Sequence, residues 1–151
     1  MDKKIPTSAK VVVIGGGIAG CSVAYHLAKF GWKDVVLLER DQLTSGTTWH
    51  AAGLLGQIGA SATITKLRNY SLNLYKELEK ETGIATGLKQ NGSLTIATTN
   101  ERLEELKRQA TFAQRFNIEV DSLDKEQIKD IYSLINVDDI VGGIFIPRDG
   151  Q

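Results

Sequence analysis

Lys10-Val11-Val12-Val13-Ile14-Gly15-Gly16-Gly17-Ile18-Ala19-Gly20 is the stretch from which the fold is read. Val11 to Ile14 is a short β-branched apolar run, the pattern of a strand buried on both faces of a parallel sheet. A glycine turn follows directly. A helical stretch then runs to Phe30, with Ala19, Val23 and Leu27 at four-residue spacing on one face, and Gly31 is placed to end it. Val35-Val36-Leu37-Leu38 reads as a second buried strand with Glu39 at its C-terminal end. Lys10 to Glu39 is therefore a βαβ unit.

Inside that unit Gly15-x-Gly17-x-x-Gly20 divides its duties. Gly15 permits the tight turn, Gly17 lets backbone approach a pyrophosphate, and Gly20 lets helix and strand pack closely. Ile18 and Ala19 open the helix, whose first N–H groups and positive dipole end suit phosphate. A glycine turn alone is a weak signal. This one follows a strand, opens a helix and is answered by Glu39, an acid placed to accept from a ribose hydroxyl pair. Dinucleotide binding is the expectation, and the acidic Glu39 makes NADP the least favoured dinucleotide.

Composition narrows the class. The 151 residues are 42% hydrophobic, 24% charged and 7% aromatic, as in globular proteins. Eighteen Lys and Arg balance eighteen Asp and Glu, so the basic excess that nucleic acid demands is absent. No apolar run approaches the roughly 18 residues of a spanning helix, and Met1 to Lys10 has no apolar signal core. The lone Cys21 excludes an intrachain disulfide and points to a reducing compartment, the cytoplasm by default. One Cys and two His provide no metal-ligand spacing, so no metal is expected. No nucleophile elbow is present, and no catalytic acid or base is assigned. The run Ile144-Phe145-Ile146-Pro147-Arg148-Asp149-Gly150-Gln151 ends just past a strand, which is expected of a chain truncated after 151.

Arg40 to Ala62 is a long Gly-, Thr-, Ser- and Ala-rich loop, more often functional than idle at this length. A helix follows whose face is Ile64, Leu67, Ser71, Leu74 and Leu78, stopped at Gly83. Beyond it the chain reads strand–helix–helix–strand. Asn91-Gly92 turns into a strand over Ser93 to Ala97. Thr98 with Glu101 is a capping box for a helix burying Leu103, Leu106, Ala110 and Ala113; Asp124 with Gln127 is a second. Val141 to Ile146 is the last strand. The expected architecture is α/β: a Rossmann-like βαβ unit within residues 1–82, then the beginning of an α+β substrate or cap layer over 83–151.

Gly15-x-Gly17-x-x-Gly20-x-x-x-Ala24-x-x-Leu27-x-x-x-Gly31, followed by Val36 and Glu39, resembles the FAD-binding βαβ of flavoprotein oxidoreductases. Leu38-Glu39-Arg40-Asp41-Gln42-Leu43-Thr44-Ser45-Gly46-Thr47-Thr48-Trp49-His50-Ala51-Ala52-Gly53-Leu54 resembles the FAD site of sarcosine and dimethylglycine dehydrogenases, of the glycine/D-amino-acid oxidase-like superfamily. The similarity continues through Leu78 to Gly83, Gln90 to Leu94, Asn136 to Asp139 and Ile146 to Gly150, so it spans nearly the whole chain. Thr48-Trp49-His50-Ala51-Ala52-Gly53 is its most specific part, and it argues against an NAD module.

The resemblance implies FAD bonded through a ring nitrogen of His50 to the flavin 8α carbon; without it, His50 reads as an ordinary loop histidine. It also implies flavin contacts from Gly46, Thr47 and Thr48, and close approach at Ala51, Ala52, Gly53 and Leu54. Trp49 either packs beside the ring or buries itself, and Arg40 either reaches the adenosine or stays solvated. His26 and Cys21 read as structural, Cys21 as a small buried hydrophobe. The implied activity is oxidation of the N-methyl group of a small N-methylated amino acid. An electron-transfer flavoprotein or oxygen is the implied acceptor, with tetrahydrofolate bound in a region beyond this sequence. The implied compartment is the mitochondrial matrix if the source is eukaryotic. The alternative is a non-catalytic flavin-binding or electron-relay subunit of a larger complex.

Overall fold

The computed structural model describes residues 6–151, which fall into two compact units divided between Ala52 and Gly53. In the first, strand β1 (Val11–Ile14) leads through the glycine turn into helix α1 (Ile18–Lys29) and strand β2 (Val35–Leu38). β1 and β2 pair in parallel, from Val11 opposite Val35 to Ile14 opposite Leu38. The expected βαβ unit is present, its strands with their expected boundaries and its helix ending at Lys29, with Phe30 as the C-cap.

α1 lies against β1 because Gly20 has no side chain: a Cβ there would stand 1.9 Å from the Gly15 carbonyl oxygen and 3.4 Å from Val13 Cγ1. This shifts the helix face from the one expected. Gly20 turns to the strand, with Ala24 and Leu27 half-buried, while Ala19 is exposed and Val23 is 50% exposed. The strands also depart from two-sided burial. Val12 is 50% and Ile14 86% exposed, since within this unit only α1 covers the two-stranded sheet. Cys21 is half-buried rather than buried, and its thiol donates to the Gly16 carbonyl at 3.3 Å. His26 is the expected structural histidine, with Nδ1 2.7 Å from the Ser22 carbonyl oxygen.

The second unit opens with helix α2 (Ala62–Thr82), capped by the Ser61 hydroxyl and closed by Gly83 in the left-handed region at φ 70°. Its buried residues are Thr65 and Leu72, whereas Ile64 and Leu67 of the expected face are 40% and 58% exposed. Hydrogen bonding explains the rotation: Thr65 Oγ1 accepts from the Gly59 N–H, and Asn69 Oδ1 accepts from the Gln57 amide. Polar pairing has overridden the apolar stripe.

Strands β3 (Ser93–Ala97), β4 (Asp121–Leu123) and β5 (Gly142–Ile146) then form a sheet in the order β3-β5-β4, antiparallel throughout. Helices α3 (Asn100–Gln114) and α4 (Lys125–Ile131) complete the unit. β4 is an addition to the expected strand–helix–helix–strand order. Its Asp121-Ser122-Leu123 sequence has little intrinsic strand preference, and its pairing with β5 is a long-range contact. The core is the expected face of α3 on this sheet: Leu106 with Ala97 and Ile144, and Ala113 with Ile118 and Ile146.

The capping box at Asp124 and Gln127 is complete in both directions, at 2.8 and 3.0 Å. The cap of α3 is Thr99, one residue beyond the expected Thr98; its hydroxyl accepts the Arg102 N–H at 3.2 Å. Thr99→Ala is therefore expected to lower stability by about 1 kcal/mol in urea denaturation, with the exposed Thr98→Ala near neutral. Leu106→Ala, at a site with no exposure, is expected to cost ~2–5 kcal/mol.

Candidate cofactor site

The C-terminal ends of β1 and β2, the start of α1 and the loop after β2 enclose a cleft of about 770 Å³, within the ~300–1,000 Å³ typical of small-molecule sites. Open parallel sheets bind their ligands at this end of the strands. Of the residues expected at a cofactor site, Gly15, Gly17, Ile18, Ala19, Glu39, Arg40, Gly46, Thr47, Thr48 and Ala51 line it. Ile14, Leu38, Asp41 and Ser45 join them. The first two close their strands and were legible from the strand-end rule; Asp41 and Ser45 carry no sequence signal beyond lying in the loop stretch that resembles an FAD site.

α1 has Gly17 at its N-cap, with no side-chain cap and no acidic residue in its first turn. Its positive end is left facing the cleft, as an anionic ligand requires. A Cβ at Gly17 would stand 3.1 Å from Thr48 Oγ1, so the glycine keeps that approach open. Thr48 accepts the Ile18 N–H at 2.9 Å, which ties the 3-10 turn Thr47–His50 to the mouth of the helix. These features fit the pyrophosphate of a dinucleotide.

Glu39 organises the other wall. Its Oε2 accepts the Gly16 N–H at 2.7 Å, and its Oε1 accepts the N–H groups of Arg40 at 2.8 Å and Asp41 at 3.1 Å. The bond from Gly16, then that from Asp41, holds its carboxyl below the usual glutamate range. A carboxylate has about four acceptor positions, so three backbone bonds leave capacity for a ribose hydroxyl.

The remaining expected residues lie elsewhere. Gly20 is spent on the helix–strand contact, and Ala52 is exposed. Gly53 and Leu54 belong to the second unit, Leu54 being 76% exposed. Trp49 is 78% exposed, so it does not bury itself within this chain. His50 is exposed, with Nδ1 3.1 Å from the Gly46 carbonyl oxygen. A carbonyl only accepts, so Nδ1 carries the proton and, in the neutral ring, Nε2 holds the lone pair. Among the described residues no group of three or more His, Cys, Asp and Glu could hold a metal, and no helix is long and apolar enough to cross a membrane.

The chain matches the family of FAD dependent oxidoreductases (DAO) over residues 10–151. It belongs to that family. It is 46% identical over 149 residues to the mitochondrial sarcosine dehydrogenase of Homo sapiens, covering 98% of this chain and 16% of that protein. It is 43% identical over 145 residues to the mitochondrial pyruvate dehydrogenase phosphatase regulatory subunit of Mus musculus, with 96% and 16% covered. The crystal structure of L-proline dehydrogenase from P. horikoshii superposes with a TM-score of 0.88 at 27% identity, over 97% of this chain and 38% of that one. The cleft is thus part of an FAD-binding fold, and the chain spans about a sixth of its curated relatives' length.

The depressed pKa of Glu39 has a directional consequence. Its contribution to stability is fully present above the ordinary glutamate range and is lost as pH falls through the lower, folded-state value. Acid unfolding followed by circular dichroism is expected to show this component in the wild type and to lack it in Glu39→Gln. In the absence of covalent linkage, Glu39→Ala is expected to weaken FAD binding by roughly tenfold or more, as when buried polar partners are left unpaired.

Proposed function

We propose that this chain supplies the FAD-anchoring part of an amine oxidoreductase acting on the N-methyl group of sarcosine or dimethylglycine. The observation that carries the proposal is the placement of His50. It ends the turn that Thr48 ties to the start of α1, with Nδ1 engaged by Gly46 and Nε2 free to bond carbon. Nε2 is accordingly the ring nitrogen proposed to hold the flavin 8α carbon. The 46% identity to a sarcosine dehydrogenase over nearly the whole chain supports the substrate class.

In this reading the protein's share is binding and orientation. Gly15, Gly17, Ile18 and Ala19 receive the pyrophosphate, Glu39 the ribose, and Arg40 borders the adenosine side. Gly46, Thr47, Thr48, Ala51 and Ala52 follow the rest of the cofactor, with Trp49 beside it. The bound flavin supplies acceptance of a hydride equivalent from the substrate. Groups that orient the amine are assigned to sequence beyond this chain, as is tetrahydrofolate binding. An electron-transfer flavoprotein or oxygen would take the electrons. The compartment proposed is the cytoplasm or, for a eukaryotic source, the mitochondrial matrix.

A second reading has its own support: a relative at 43% identity is named as a regulatory subunit. A non-catalytic flavin-binding or electron-relay subunit would keep the cleft and show no amine turnover. Sarcosine and dimethylglycine oxidation with an artificial acceptor, assayed on the full-length protein, separates the two.

The linkage has a direct test. Acid precipitation is expected to leave the yellow cofactor in the pellet, and the peptide containing Trp49 and His50 should carry the mass of FAD. The His50→Ala protein should release its flavin on denaturation yet still bind FAD, with activity reduced rather than abolished. Wild-type flavin found wholly in the acid supernatant would end the assignment.

A further inference from the structure

The loop after β2 returns to the βαβ unit twice. The first return is at Thr44, whose N–H donates to the Gly16 carbonyl at 2.9 Å. The second is at Thr48, whose Oγ1 accepts the Ile18 N–H at 2.9 Å. Among the described residues, every other hydrogen bond of residues 45–52 stays inside the loop, joining Ser45 to Gln42, Trp49 and His50 to Gly46, and Ala51 to Thr48. Thr48 and His50 share one 3-10 turn. The bond at Thr48 is therefore what holds that turn to α1.

Both partners are suited to it. Ile18 is the first residue of α1, and an N–H in the first turn has no acceptor within its own helix. A hydroxyl accepts and donates at once, so with Oγ1 on Ile18 the Thr48 proton is left for a phosphate oxygen. Gly17 keeps the approach open, since a Cβ there would stand 3.1 Å from Oγ1.

We infer that Thr48 is a positioning residue for the flavin linkage: its bond to Ile18 sets the turn so that His50 Nε2 meets the flavin 8α carbon. The inference rests on the assignment of His50 as flavin anchor. Without that bond the turn is held to the βαβ unit only from Thr44, so the tether to His50 lengthens from two residues to six. A longer tether closes less often, by about fivefold for this change in length.

The linkage forms a bond from His50 Nε2 to the flavin 8α carbon and breaks one C–H bond there. A proton is lost from that carbon and another from Nδ1 of the imidazole. The electron pair and two protons pass through the flavin ring to dioxygen, which leaves as hydrogen peroxide.

The test is the rate of acid-stable flavin formation when apo full-length protein is mixed with rising FAD in air. FAD affinity is measured beforehand by fluorescence quenching, and linkage rates are compared at saturation. Thr48→Val keeps the shape and removes the acceptor; it is expected to slow saturated linkage by roughly 5-fold or more, since misplacement adds to the longer tether. Thr48→Ser keeps the hydroxyl and should link at close to the wild-type rate. Ile18→Pro cuts the same bond from the donor side. Proline suits the first helical position, and Gly17 already has the extended backbone a following proline requires, at φ −74° and ψ −179°. It should slow linkage as Thr48→Val does, and the double variant should be no slower than the slower single, because one bond is lost in each.

A wild-type saturated rate in Thr48→Val would overturn the inference whatever happens to affinity, leaving Thr48 a cofactor contact alone. Thr48→Ser as slow as Thr48→Val, or losses that multiply in the double variant, would overturn it too. If Thr48→Val does not fold, Ile18→Pro decides, and a wild-type rate there ends the inference. A wild type that never forms the linkage ends the His50 assignment and this inference with it. Normal wild-type linkage with neither variant slowed ends the inference alone.

Discussion

The first unit depends on the absence of a side chain at Gly20. With the helix backbone within van der Waals reach of the Gly15 carbonyl, α1 starts directly at the ends of the two parallel strands. Any Cβ at this position would push it away. The uncapped N-terminus of α1, the Thr48 hydroxyl on the Ile18 N–H and the Glu39 carboxylate on the Gly16 N–H all follow from that closeness. The same contact makes the glycine turn a cradle for an anion. Backbone donors and a helix dipole are brought to one point without a basic side chain.

In the second unit the organising element is β5. It pairs with β3 on one side and β4 on the other, and four of its five residues are buried. Ile144 and Ile146 carry the two halves of the core, each against a different part of α3. The chain leaving β5 is then held by paired backbone bonds from Gly150 to Leu55 and from Gln151 to Lys89. A strand central in its sheet, followed by a segment bonded on both sides, brings the ends of this unit's sequence together. Residues 10–151 match the family of FAD dependent oxidoreductases, and they cover 38% of the superposed dehydrogenase chain.

Much of the site was readable because its determinants are local. The turn, the helix start and the acid at the end of β2 lie within one βαβ unit, and each residue type has a single steric or electrostatic reason to be there. Gly15, Gly17 and Glu39 line the cleft as expected. What misled was periodicity used as a measure of burial. The stripe Ile64, Leu67, Ser71, Leu74 and Leu78 has the spacing of a core face, yet Thr65 and Leu72 are the residues buried. Apolar spacing does not register the hydrogen bonds of Thr65 to Gly59 and Asn69 to Gln57.

The sequence by itself determined the parallel βαβ unit, the phosphate turn, the capping box at Asp124 and the apolar face of α3, because each is encoded by residue spacing within single elements or by elements that follow one another directly along the chain. Only the tertiary structure decided that β4 exists, that Thr99 rather than Thr98 caps α3, and that Asp149 is bonded to a residue 92 positions earlier. Those outcomes turn on which distant donors and acceptors meet once the chain has closed. Side-chain spacing along a sequence carries no information about that meeting.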